Sequence, residues 1–185
     1  MMMSLQIRTA LESDQPAITK IVNAAFGDAE GSVITELILN LLNDSTAYPL
    51  LSLVATLDEQ VVGHILFTKA QIESTQRPVK ASILAPLAVH PDHQKQGIGG
   101  RLIREGLQQL QAQGIELVFV LGHMSYYPRH GFTPAGIQGF AATYPIPDEV
   151  ADAWMVQELQ SGVIGTVQGQ VICADAMNER KYWVE

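Results

Sequence analysis

The stretch from Leu84 to Gly100, LAPLAVHPDHQKQGIGG, restricts the fold more than any other part of the chain. It divides into an apolar run, a polar turn and a glycine-rich helix start. Ile83 to Val89 is continuous and apolar, which reads as a buried strand. His90, Pro91 and Asp92 end it, because proline cannot continue a ladder and Asp favours a turn. From Gly97 the apolar period changes. Ile98, Leu102, Ile103, Leu107 and Leu110 recur at helical spacing with polar residues between them, which predicts an amphipathic helix. Gly114 sits where a left-handed C-terminal cap belongs. Pro86 lies inside the strand, so it marks either a bulge or an edge strand, since its ring removes a ladder donor.

A strand that feeds a helix through a glycine-rich turn makes an anion site. The first helical N–H groups have no intrahelical acceptor, and the positive end of the dipole points the same way. Glycines at 97, 99 and 100 let a polyphosphate approach the backbone, and Lys95 and Arg101 add charge. Two common anion motifs fail on spacing. A dinucleotide fingerprint needs a third glycine where Leu102 stands, and a P-loop needs Gly-Lys-Ser/Thr.

What remains is Gln94-Lys95-Gln96-Gly97-Ile98-Gly99 after Leu87-Ala88-Val89-His90-Pro91. This closely resembles the acetyl-coenzyme A motif of the GNAT family of N-acetyltransferases. A second stretch, Gly122 to Phe132, resembles that family's later signature, in which a tyrosine precedes a Gly-Phe pair by four residues. Tyr127 holds that position relative to Gly131. The doubled tyrosine, Gly63 to Phe67 and Ala85 to Val89 are similar to one subgroup, the predicted bacterial acetyltransferases related to YhbS. That subgroup usually carries an acidic residue after the loop glycine, where this chain has His123.

The resemblance implies an α/β (α+β) GNAT fold. Its central mixed, mostly antiparallel sheet splays between the fourth and fifth strands and is flanked by helices. A bulge at Pro86 would fit that splay. The resemblance also implies acetyl-CoA as co-substrate and a primary amine as acceptor. It places the donor on Leu87, Ala88, Val89, Gln94, Lys95, Gln96, Gly97, Ile98, Gly99, Gly100 and Arg101. Tyr127 is the implied general acid, and Tyr126 beside it is an equally good hydroxyl. No base is implied, because Ser74 to Val89 contains no Asp or Glu; His64, His123, Glu36 or a water chain could serve. A non-catalytic acetyl-CoA sensor or scaffold, and a transferase of another acyl group, are the alternatives.

The rest of the chain fits this order. Leu5 to Ala10 reads as a strand, and Ser13 or Asp14 can cap a helix starting near Pro16 and ending at Gly27. A second helix is expected from about Gly31 to Asn43. The resemblance implies that these two helices border the acceptor pocket, where Asp28, Glu30 and Glu36 could meet an amine. Leu50 to Leu57 and Val61 to Ile72 form a hairpin, and Ile115 to Leu121 is a strand buried on both faces. The family core is expected over about 4–136. An extension over 137–185 should add strands at Trp154 to Leu159 and Val167 to Ala174 around a Gly-rich turn. These would pack on the core, shape the acceptor pocket or form a dimer contact, and the whole chain would be one domain.

Composition excludes several classes. With 47% hydrophobic and 16% charged residues the chain suits a globular core rather than disorder. A net charge of -8 with no basic block argues against nucleic-acid binding. Cys173 is the sole cysteine, so no internal disulfide is possible. The N-terminal MMMSLQIR lacks a leader's apolar core and no run is long enough to span a membrane, so a cytoplasmic protein is expected. The five histidines share no metal-ligand spacing, and no metal is expected.

Overall fold

The computed structural model describes residues 4–73 and 77–184; Met1 to Met3 of the N-terminal reading and Ser74 lie outside them. Hairpin pairing builds the first half of the sheet. Strands β1 (Leu5–Thr9), β2 (Leu51–Leu57), β3 (Gln60–Ile72) and β4 (Ala81–Val89) pair antiparallel in that order. Asp58 and Glu59 both have positive φ (48° and 71°), the geometry of a two-residue hairpin turn that matches strand twist. β5 (Leu117–Leu121) then joins β4 in parallel, which needs a crossover, and helix α3 (Ile98–Ala112) supplies it. Gly114 has φ 86° and ends that helix as expected.

The helices α1 (Gln15–Phe26) and α2 (Asp28–Leu42) cover one face of the sheet and α3 covers the other. α2 starts three residues earlier than the sequence suggested. Gly31 is not a helix start: a Cβ there would collide with the side chain and Cα of Asn23 on α1, so this glycine lets the two helices touch. Gly27, at φ 85°, separates them. Asp14 precedes α1 without capping it through its side chain. Its carboxylate accepts instead from Leu11 N (2.7 Å) and both terminal nitrogens of Arg8 (2.7 and 2.9 Å). The Arg8 bonds hold the Asp14 carboxyl below the usual range, with the Leu11 amide helping and burial opposing.

The later chain returns to the same sheet. β6 (Thr133–Pro134) and β7 (Phe140–Ala141) are two residues each. β8 (Trp154–Glu158) pairs antiparallel with β5 along its free side, and β6 pairs with β8. β9 (Gly169–Cys173) pairs with the far end of β3, at Ala70 to Ile72, and with β7. The two strands expected around the Gly-rich turn are present, and each pairs with the core rather than with the other. No described helix is long and apolar enough to cross a membrane.

Candidate active site

The site grows from the bulge in β4. Leu84 and Leu87 both face the α3 layer although they are three residues apart, while Ala85 and Ala88 face the α1–α2 layer. Strict alternation would forbid this. The register explains it, because Ala85 and Pro86 together oppose the single residue Leu66, between the pairs Ile65↔Leu87 and Phe67↔Leu84. β4 lies between β3 and β5, so Pro86 marks a bulge and not an edge. Pairing with β5 covers only Ala81 to Leu84, so the strands part from Ala85 onward. Leu87, Ala88 and Val89 form the β4 wall of that opening.

At the end of this wall the chain turns. His90 Nδ1 accepts from Asp92 N (3.1 Å), and Gln94 Nε2 donates to the Val89 carbonyl (2.9 Å). The Gln94 side chain thus braces the turn against the strand. Lys95 (φ 63°) and Gly97 (φ 82°) are left-handed, and this brings the chain into α3. Arg101 N donates to the Gly97 carbonyl (3.1 Å), so the N–H groups of Ile98, Gly99 and Gly100 precede the first helical bond. The Ile98 side chain is buried, whereas Lys95, Gln96 and Arg101 are exposed. A Cβ on Gly97 would meet nothing within 4 Å. The residues from Gln94 to Arg101 therefore share one turn beside the opening.

Gly99 and Gly100 have a second reason to be glycine that the sequence did not reveal. A Cβ on Gly99 would lie 2.5 Å from Tyr126 Oη, and one on Gly100 would lie 2.9 Å from His130 Cε1. Both rings come from the loop after β5, where residues 127–130 form a single 3₁₀ turn. Tyr127 is buried, its ring lying across Gly122 and edge-on to Phe132 at 5.7 Å. Tyr126 is half-buried and meets Tyr127 edge-on at 5.1 Å. Burial pushes the Tyr126 phenol up, with Arg129 opposing. Burial also lowers His130, helped by Arg129 and Arg104.

The residues considered as bases or as contacts to an amine are scattered. His64 is 1% exposed and sits opposite Ala88 across β3 and β4. Gly63 beside it points toward Leu102 and Ile98 of α3, so His64 faces the α1–α2 layer. Its Nε2 is 3.0 Å from Ser52 Oγ, and burial pushes it down to about 4 against the opposing pull of Asp14. His64 is therefore neutral near pH 7. His123 is exposed in the loop after β5, Asp28 and Glu30 are exposed in the first turn of α2, and Glu36 is exposed further along it. Cys173 is no nucleophile, because burial pushes its thiol up to about 12.

Comparison with known proteins agrees with this geometry. A family model described as the acetyltransferase (GNAT) domain matches residues 6–135. The uncharacterized N-acetyltransferase YjhQ of Escherichia coli strain K12 is 46% identical over 165 residues, 89% of each chain. The crystal structure of E. coli YhbS, a GNAT family N-acetyltransferase in complex with CoA, superposes with a TM-score of 0.85 at 27% identity, covering 97% of this chain and 94% of that one. A GNAT family acetyltransferase from Brucella melitensis in complex with acetyl-CoA gives 0.72 at 29% identity, covering 94% and 98%. The similarity to YhbS read from the doubled tyrosine, Gly63 to Phe67 and Ala85 to Val89 holds over the whole fold. A bulged strand splayed from its parallel neighbour, a glycine turn at its end and a matching family model over most of the chain lead to one conclusion: this protein belongs to the GNAT family of acetyltransferases.

Proposed function

We propose that this protein transfers an acetyl group from acetyl-CoA to a primary amine by direct attack. The observation that carries this is the parting of β4 from β5 after Leu84, with the first turn of α3 at its end. The gap suits a pantetheine arm, and the helix N-terminus suits a diphosphate. In this reading the neutral amine attacks the thioester carbonyl. The backbone N–H groups of Leu87 to Val89 stabilise the oxyanion, which needs donors where charge develops and no special side chain. The intermediate collapses, the C–S bond breaks, and Tyr127 gives its phenolic proton to the departing sulfur. The amine's proton leaves to water, and water returns a proton to the Tyr127 phenolate. Holding donor and acceptor together supplies much of the rate, so no dedicated base is required. In this reading the later chain helps shape the acceptor pocket, a role supported by the pairing of β8 with β5.

The test is calorimetric titration of acetyl-CoA into the purified protein, with NAD as control, followed by turnover on an amine panel. We expect selective micromolar binding, about -8 kcal/mol. Tyr127→Phe should lower turnover far more than it weakens acetyl-CoA binding. Unchanged turnover in that variant would make Tyr127 a packing residue, and absent binding would remove the whole reading.

A further inference from the structure

Tyr126 presents its hydroxyl to the donor turn, and the acid role assigned to Tyr127 does not use it. The position a Cβ would take on Gly99 lies 2.5 Å from Tyr126 Oη and 3.7 Å from Leu87 Cδ2. The hydroxyl therefore lies in the seam where the β4 wall meets the first turn of α3. The ring is held from outside that seam. His130 packs against it at 4.8 Å between centroids, and the Arg129 guanidinium stands 5.2 Å above it. No group among the described residues forms a hydrogen bond with Tyr126 Oη. A half-buried phenol with a fixed ring and an unused hydroxyl is poised for a partner that arrives from outside the chain.

The neighbours specify the chemistry of that partner. Ile98, Gly99 and Gly100 offer N–H donors without helical acceptors on the same turn. A further O–H donor beside them suits a ligand rich in acceptor oxygens, and Arg129 and Arg104 make the surroundings electropositive. We propose that Tyr126 donates its phenolic hydrogen to the diphosphate of the acyl-CoA donor, leaving proton delivery to sulfur with Tyr127. This rests on the donor-site reading above. It also explains Gly99: a methyl group there would occupy the place the hydroxyl needs, so the glycine serves the tyrosine as well as the ligand.

The test compares wild type, Tyr126→Phe and Gly99→Ala. Calorimetry would use CoA and dephospho-CoA, and NMR titration would use pantetheine, which lacks the diphosphate. Tyr126→Phe keeps the ring and should weaken CoA and dephospho-CoA equally, by at least about tenfold, the lower end for a hydrogen bond to a charged group. Pantetheine binding should not change. Gly99→Ala should weaken CoA in the tyrosine background and cost much less in the Tyr126→Phe background, where the colliding atom is gone. Wild-type affinity for CoA in Tyr126→Phe overturns the proposal, and so does an equal loss for CoA and pantetheine, which would make the ring a packing element. If wild type itself fails to bind CoA, the donor-site reading falls first and takes this one with it.

Discussion

The donor side and the closing side of this molecule are built in opposite ways. Residues 81–112 run as strand, turn and helix in chain order, and each piece touches the next. Residues 133–184 are distributed. β8 lies against β5, β9 lies against β3, and residues 175–176 reach back to α2's end, where Asp44 Oδ2 accepts from Ala176 N (2.8 Å) and Thr46 Oγ1 from Asp175 N (2.8 Å). The donor side offers backbone N–H groups at the start of α3, where a Cβ on Gly97 would meet open space. The closing side depends on large side chains. Trp154 stacks on Phe119 at 5.3 Å, meets Trp183 at 5.6 Å, and donates Nε1 to the Phe140 carbonyl at 2.9 Å. In the proposed reading, ligand affinity and fold stability rest on different residues, so each is expected to be damaged without the other.

The largest effect should come from the closing side. Trp154→Ala removes a stacked, hydrogen-bonded ring from the junction of β5, β7 and residue 183, and should cost about 3–5 kcal/mol. Acetyl-CoA affinity, measured well below the lowered melting midpoint, should stay at the wild-type value. A loss of affinity with little loss of stability would break the comparison.

The next effect probes β3, the strand both regions share. His64 is neutral in the fold and its pKa is pushed down to about 4 by burial. In the unfolded chain it titrates near 6.5. Below pH 6.5 the unfolded chain binds a proton that the folded chain refuses, so stability falls as pH drops from 6.5 toward 4. The full cost across that window is about 3 kcal/mol, at about 1.4 kcal/mol per pH unit. Above pH 6.5 this group contributes no pH dependence. Denaturant midpoints of His64→Gln should flatten over the same window; an acid slope equal to wild type would show that His64 is not the group refusing the proton.

The smallest effect in free energy is the most informative about the ligand. Gly97→Glu places a side chain in open space at the donor turn, with a negative charge where the diphosphate is proposed to sit. Acetyl-CoA affinity should fall by at least about 100-fold, close to 2.7 kcal/mol. The left-handed φ of 82° makes the substitution mildly strained, about 1–2 kcal/mol, so the protein remains folded. Retained affinity in a folded variant would remove the donor site from this turn.

Much of the donor side was legible in the sequence because its signals are local. Gly114 stands where a left-handed cap is expected, and the helical period from Ile98 to Leu110 shows the buried face of α3. Pro86 marks an interruption in β4, and the register against Leu66, not the sequence, makes it a bulge rather than an edge. Other signals misled because they resembled local rules while serving remote contacts. Gly31 looked like a helix start and is a helix–helix contact. Asp14 looked like a cap and is an ion-pair partner of Arg8. Gly99 looked like room for phosphate and also admits the hydroxyl of Tyr126, 27 positions later in the chain.

By itself, the sequence of this protein determined where strands, turns and helices lie near the donor turn, and which family its two signatures resemble. Those features follow from φ preferences, caps and apolar periods acting within a few residues. Only the tertiary structure decided that β8 takes the free side of β5 and β9 the far end of β3, that His64 is buried on the α1–α2 face, and that the Tyr126 hydroxyl lies against Gly99. Each of these depends on which strand edges and helix faces stay open once the rest has folded, and no short stretch of chain carries that information.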